Sequence, residues 1–250
     1  MRLTAADFKN RRIVVTGIGT INPLGNTVSE FWENLKKGKS GIRKIRNFNV
    51  GDYEIQIGGE IDIPYNAKDN YFKARKMYKR LDRYTILSHI AGIQAFRDSG
   101  LDMEKEAFRT GAILGTGAGG VNAHIENIIK HTNESMDAVS PFYLIACIPS
   151  TGSAFFCQEI GIKGPSYSVN SACATSNHSM GLACMHILCG MADIMFTGGA
   201  EASVNKSGIA SFGNIQALSS RNDSPETASR PFDKDRDGFV IGEGAGVLCF

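Results

Sequence analysis

Apolar positions along this chain switch repeatedly between two spacings. "RRIVVTGIG" (11–19), "TGAILGTGAGG" (110–120) and "ADIMFTGGAE" (192–201) are short, near-continuous apolar runs that end in glycine. That is the pattern of buried strands which turn sharply at their ends. Elsewhere the spacing becomes three or four: in "DRYTILSHIAGIQAFRDSGL" (82–101), Ile86, His89 with Ile90, Ile93, and Phe96 with Arg97 recur on one face, which predicts an amphipathic helix. Helical stretches are also predicted over 26–41, from Val121 to about Lys130, and from Cys173 to about Gly190, with a further apolar segment near 149–160. "GPSYSVNSA" reads as another strand, and "FVIGEGAGVLCF" as a last one that stops at the final residue. Strands alternating with helices predict an α/β layered domain with a largely buried sheet. A buried strand at the last residue, with no cap after it, has the look of a chain cut inside a larger fold.

Composition changes this picture little. At 250 residues, 42% apolar and 21% charged, the chain can form one large domain or two small ones. Its 28 glycines concentrate in "GTGAGG", "FTGGAE" and "IGEGAG", where strand ends must turn or admit another backbone. A formal charge of +2 gives no nucleic-acid footprint. No apolar run approaches the ~20 residues a membrane span needs, and the leader "MRLTAADFKNRR" lacks the apolar core of a secretory signal. Cys147, Cys157, Cys173, Cys184, Cys189 and Cys249 form no CxxC and no spacing with histidine that would hold a metal. Reduced thiols and a cytoplasmic setting are expected, an organelle remaining open, with neither metal nor cofactor.

Two segments carry candidate chemistry. "GTGAGG" (115–120) fits G-x-G-x-x-G between a strand and a helix, so a dinucleotide-binding oxidoreductase must be weighed. The acidic residues that follow, Glu134 and Asp137, sit in a polar stretch and not at a strand end, which favours a plain glycine turn. In "SVNSACATSNHSMG" (168–181), Cys173 opens a helix among small residues. Unpaired N–H groups and the positive end of the helix dipole favour a thiolate there and can stabilise an oxyanion, while an inert buried cysteine remains the alternative. Its nearest histidine, His178, lies roughly 140° around the helix and cannot serve as its base; it is expected to pack or cap. His186 is too distant, and His89, His124 and His131 are expected at the surface or the core edge. Lys73, Arg75, Lys76, Lys79 and Arg80 make a basic run, either a solvated helix face or a landing patch for an acidic partner.

Together these segments, with "FTGGAEAS" and "ALSSRNDSPETASRPFDKDRDGFVIGEGAGVL", resemble the β-ketoacyl-acyl-carrier-protein synthases of the elongating type. The resemblance spans residues 1–250 as an N-terminal ketosynthase domain and implies the thiolase-like αβαβα sandwich, of which this chain would be the first half. It implies that Cys173 takes an acyl group from acyl carrier protein and that a malonyl-carrier thioester then loses CO2 and attacks it. The Cys173 N–H would be one oxyanion donor. Ala118 and Phe212 match acyl-pocket positions, and Tyr143 and Leu144 match residues that reach into the partner's pocket of a homodimer. The basic run falls where relatives dock the acidic carrier, although Gln216 stands where some carry a basic residue. The family's two catalytic histidines, its lysine and the second oxyanion donor lie in the second half. A polyketide-type ketosynthase or its partner subunit is the nearest alternative.

Overall fold

The structure is a computed structural model, and it describes residues 12–250. The leader, apart from Arg12, therefore lies outside the described residues. In chain order the main elements are β1 (Gly17–Ile21), α1 (Val28–Lys36), β2 (Arg43–Lys44), β3 (Ile57–Gly58), α2 (Arg83–Ser99), β4 (Thr110–Gly115), α3 (Val121–Asn133), α4 (Tyr143–Cys147), α5 (Thr151–Ile160), β5 (Ser166–Tyr167), α6 (Thr175–Leu188), β6 (Ile194–Glu201), α7 (Lys206–Asn214) and β7 (Gly244–Cys249). They fall into two compact units: Tyr65–Glu201 with residues up to Thr20 and Ala245–Phe250, and Ile21–Pro64 with Ala202–Gly244.

The larger unit is built on a five-stranded sheet of order β1-β7-β6-β4-β5. β4 runs parallel to β6 from Thr110 opposite Ile194 to Gly115 opposite Gly199, and parallel to β5 at Ala112–Ser166 and Ile113–Tyr167. Met195 and Phe250 exchange both backbone hydrogen bonds, the antiparallel signature, at 3.1 and 2.9 Å. Successive side chains of a strand point to opposite faces, and that period sorts the helices into layers. Phe196 packs edge-on against Phe96 of α2 and Phe156 of α5. Its neighbour Met195 joins Ile113 and Ala183 of α6 on the other face. The result is an α/β/α sandwich, the layered α/β class expected from the sequence.

Two local readings need correction. α2 is not a one-faced helix, because Tyr84 through Ile93 are all buried. It is wrapped by the sheet, α5 and the short helix Ala67–Tyr71, and a helix enclosed on several sides shows no clean solvent stripe. The first strand begins at Gly17, and Val14 and Val15 before it are half-exposed. β1 is an edge strand, so only one side of it is paired.

The smaller unit encloses its own core of Ile45, Ile55, Val204, Ile209, Leu218 and Ile241. β2 and β3 pair antiparallel there. Two buried carboxylates fix its loops: Glu60 accepts the N–H groups of Arg46 (2.9 Å) and Asn47 (3.0 Å), and Glu243 accepts that of Ile61 (2.7 Å).

Candidate active site

Cys173 lies at the middle of a single 3-10 turn, Ala172–Ala174, that leads directly into α6. The residue before it, Ala172, has φ 49°. An alanine in the left-handed region costs about 1–2 kcal/mol, and such strain persists only where the surroundings hold it. Here the Ser171 N–H donates to Thr175 Oγ1 (2.9 Å), the Ala174 N–H donates to Ser171 O (3.1 Å), and Ser171 Oγ is bonded to His178 Nδ1 (2.7 Å). The chain thereby makes a tight elbow that leaves Cys173 exposed at its tip. His178, itself exposed, ties the Ser171 hydroxyl to α6 through its side chain, a contact that is neither the packing nor the backbone capping expected of it.

The small residues around Cys173 have a packing reason as well as a chemical one. A Cβ on Gly115, at the end of β4, would overlap Thr175 Cγ2 and stand 2.8 Å from Ser179 Oγ and Val169 O. One on Gly199, opposite it in β6, would stand 2.5 Å from Ser176 Oγ. Glycine at both strand ends lets the first turn of α6 rest on the sheet, which carries the elbow to the end of the strands.

The turn after β4 runs beside this elbow: a Cβ on Gly117 would stand 3.6 Å from Ala172 O. Four of its N–H groups are engaged from within the chain. Gly117 and Ala118 both donate to Glu201 Oε2 (3.0 Å each), Gly119 donates to Thr116 Oγ1 (3.1 Å), and Gly120 donates to Cys147 O (3.2 Å). A phosphate held by this turn would have to displace a carboxylate, and Glu134 and Asp137 are exposed after α3. The turn is a wall of the cysteine site, not a dinucleotide cradle. Asp82 secures the next segment: Oδ2 accepts the Ala123 N–H (2.7 Å) and Oδ1 that of Tyr84 (3.1 Å). Burial raises the Asp82 pKa against these bonds, and the Glu201 charge raises it further.

No histidine is hydrogen-bonded to Cys173 among the described residues. His124 Nδ1 bonds Tyr143 Oη at 2.6 Å, His186 Nε2 bonds Tyr167 Oη at 2.8 Å, and His131 is exposed. His89 departs from its expected place near the surface. It is fully buried among Phe72, Phe155 and Phe156, with Nε2 2.9 Å from Tyr71 O. Burial pushes its pKa down to about 4; the Tyr71 carbonyl opposes this and the Arg97 charge adds to it. Glu159 Oε2, 3.8 Å away, is beyond hydrogen-bond reach, and the Glu159 carboxylate already accepts the N–H groups of Lys73 (2.6 Å) and Ala74 (3.0 Å).

The other sequence-predicted residues are distributed as follows. Ala118 is exposed on the glycine turn. Tyr143 and Leu144 open α4, where Leu144, Ile145 and Ile148 present an exposed apolar face. Phe212 lies on α7 of the smaller unit, edge-on to Phe239. Arg75, Lys76, Lys79 and Arg80 line one surface depression together with Lys68, which the run 73–80 did not include. Lys73 is not among them; it lines a neighbouring hollow with Arg97 and Glu159, which Arg75 also borders. Arg80 lies over the Phe142 ring at 4.1 Å, next to α4. The segment is an irregular loop and a 3-10 turn (Met77–Arg80), not a helix face. Glu201 and Asp82 also escaped the sequence reading, since their partners are set by strand order and tertiary packing.

A family model for the β-ketoacyl synthase N-terminal domain matches residues 10–250. The chain belongs to the β-ketoacyl synthase family. It is 38% identical to the chloroplastic 3-oxoacyl-[acyl-carrier-protein] synthase I of Arabidopsis thaliana, over 95% of this chain and 50% of that protein. It is 38% identical to 3-oxoacyl-[acyl-carrier-protein] synthase 2 of Vibrio cholerae, over 96% of this chain and 58% of the relative. This chain thus spans about half the length of these relatives. Among solved structures, a β-ketoacyl synthase from Burkholderia phymatum superposes with TM-score 0.84 at 26% identity, covering 96% of this chain and 58% of that one. A type II polyketide ketosynthase bound to its acyl-carrier protein superposes with TM-score 0.81 at 29% identity, covering 96% and 57%. These ketosynthases share the α/β sandwich, and the elbow cysteine of this β-ketoacyl synthase chain sits within it. Among the described residues no helix is long and apolar enough to cross a membrane.

Proposed function

We propose that this chain supplies the nucleophile half of a 3-oxoacyl-[acyl-carrier-protein] synthase of fatty-acid elongation. The observation that carries the reading is Cys173, exposed on a strained elbow at the start of α6. Its Sγ attacks the carbonyl carbon of an acyl-carrier thioester, the carrier's sulfur leaves and takes up the proton that Cys173 gives up, and the acyl group remains on Cys173. The Cys173 N–H is one donor to the oxyanion in this step. Malonyl-carrier thioester then loses CO2, and its carbanion displaces the Cys173 thiolate to give the 3-oxoacyl product. All five histidines of the chain have other surroundings, so this second step needs groups that the resemblance places in the other half of the relatives.

Several features support the accompanying roles. The exposed position of Ala118 beside the elbow suits an acyl-pocket wall, and the acyl-pocket role of Phe212, in the smaller unit, rests on the resemblance alone. The apolar face carrying Leu144, next to Tyr143, suits a homodimer contact. The depression lined by Arg75, Lys76, Lys79 and Arg80 suits an acidic carrier protein. Unpaired thiols fit a reducing compartment such as the cytoplasm or a plastid stroma. The curated relatives at 38% identity are 3-oxoacyl-[acyl-carrier-protein] synthases, which supports elongation over polyketide synthesis.

Intact-mass measurement after incubation with acyl-carrier protein tests the first step. The expected result is one acyl adduct, absent from Cys173→Ala, and no 3-oxoacyl product when malonyl-carrier protein is added. An adduct that survives Cys173→Ala refutes the nucleophile assignment, and condensation by the 250-residue chain alone refutes the division of labour.

A further inference from the structure

The geometry points to Glu201 as a positioning residue: its carboxylate clamps the glycine turn 115–120 against the cysteine elbow and so sets which acyl chains reach Cys173. The inference rests on the reading of Cys173 as the acylated thiol and of Ala118 as a pocket wall. Three observations carry it. Glu201 Oε2 accepts two consecutive N–H groups, Gly117 and Ala118, at 3.0 Å each, at the outermost part of the turn. The register of β4 on β6, Gly115 opposite Gly199, brings the last residue of β6 to that turn by backbone pairing alone. The turn has little else to hold it on that side, since its remaining donors bond Thr116 Oγ1 and Cys147 O, and the Asn170 Nδ2 contact to Gly117 O is long at 3.5 Å.

The consequence is geometric. With Ala172 O a van der Waals distance from the place of a Gly117 Cβ, the clamp fixes the gap between turn and elbow. Ala118, exposed at the crest of the turn, moves with it. Two consecutive N–H groups converge on one acceptor oxygen, so removing that oxygen frees the wall without touching the thiol. Glu201 acts through the turn.

The test compares Glu201→Ala and Glu201→Gln with the parent chain. Each protein is offered hexanoyl- and palmitoyl-carrier protein, and Cys173 acylation is followed by mass. In Glu201→Ala the ratio of the two rates is expected to shift by about tenfold, with iodoacetamide alkylation of Cys173 within about twofold of the parent. Glu201→Gln keeps an acceptor oxygen and is expected to restore the parental ratio. An unchanged ratio in Glu201→Ala overturns the inference, as does a Gln variant that behaves like the Ala variant. Amide exchange at Gly117 and Ala118 gives a reading independent of acyl chemistry. Exchange about tenfold faster in Glu201→Ala supports the clamp, and parental protection overturns it. If the parent accepts no acyl group from either carrier, the functional reading fails while exchange still judges the clamp. If Glu201→Ala does not fold, Glu201→Asp, one methylene short, takes its place in both measurements: a shifted ratio with faster exchange supports the clamp, and parental values overturn it.

Discussion

A thiol's nucleophilicity depends on how much of it is thiolate and on whether a reagent can reach it. Cys173 is exposed at the elbow, whereas burial pushes Cys157 up to about 11 and raises Cys249, Cys184 and Cys147. Limited alkylation with iodoacetamide near neutral pH, followed by peptide mass mapping, is therefore expected to label Cys173 at least about tenfold faster than Cys157; labelling of Cys157 first would sink the assignment. His89 gives a second prediction at this scale. Its folded pKa of about 4 lies below its unfolded value near 6.5, so unfolding takes up a proton between those limits. The stability this contributes is full above about pH 6.5 and is lost as pH falls toward 4, by about 3 kcal/mol across the window. In His89→Phe, which suits the surrounding Phe72, Phe155 and Phe156, the difference between urea midpoints measured at about pH 7 and pH 5 should shrink. An undiminished difference would assign the acid sensitivity elsewhere. No sequence pattern announced this residue: its spacing put it on a helix face, and only the packing of α5 and the segment 71–72 encloses it.

At the scale of elements, glycine does two different things that composition cannot separate. Gly115 is packed beneath α6, whereas Gly181, inside α6, has nothing within 4 Å of the place where a Cβ would stand. Gly181→Ala is expected to stabilise the chain by about 0.5–1 kcal/mol, as a helix-interior glycine gives way to the best helix former. Gly115→Ala drives a methyl into Thr175 and the Val169 carbonyl and is expected to cost about 1–3 kcal/mol and to slow Cys173 acylation. Thermal unfolding of the two variants decides, and equal shifts of either sign would contradict this account of the elbow. The elements themselves were legible because glycine turns punctuate runs of clear spacing, as at "TGAILGTGAGG" and "ADIMFTGGAE". Cys173 at a helix start was legible for the same reason. The Glu201 contact was not, because it needs β4 and β6 to be neighbours, a fact of sheet order that local spacing does not contain. The two-unit division was hidden too: the chain enters the smaller unit twice, at 21–64 and 202–244, so no single linker marks a boundary.

For the molecule as a whole, the balance of 27 basic against 25 acidic side chains gives a formal charge of +2, too small to steer an acidic partner by net charge. Any steering must come from local asymmetry. Lys68, Arg75, Lys76, Lys79 and Arg80 converge on one depression, and the one ion pair found among them within the described residues joins Arg75 to Asp69 at 3.3 Å. Arg80 is held by the Phe142 ring, which fixes its direction without neutralising it. Exposed charges at this spacing act within a Debye length of ~10 Å at 0.1 M salt, so the attraction should be strong at low ionic strength and fade above it. Reversing two of the remaining cations, Lys76→Glu with Lys79→Glu, is therefore expected to raise the KM for acyl-carrier protein about tenfold at low salt while leaving acylation by a small uncharged thioester unchanged. Added salt should raise the parental KM and narrow the gap between parent and variant. Equal loss with the small thioester would mean that the substitutions disturb the site itself. A KM indifferent to both salt and charge reversal would move the carrier to another face. Lys73→Glu provides the internal contrast. Lys73 lines a neighbouring hollow that shares only Arg75 with the cluster's depression, so this reversal should act less strongly than reversal of Lys76 or Lys79, although all three stand in the same run of sequence.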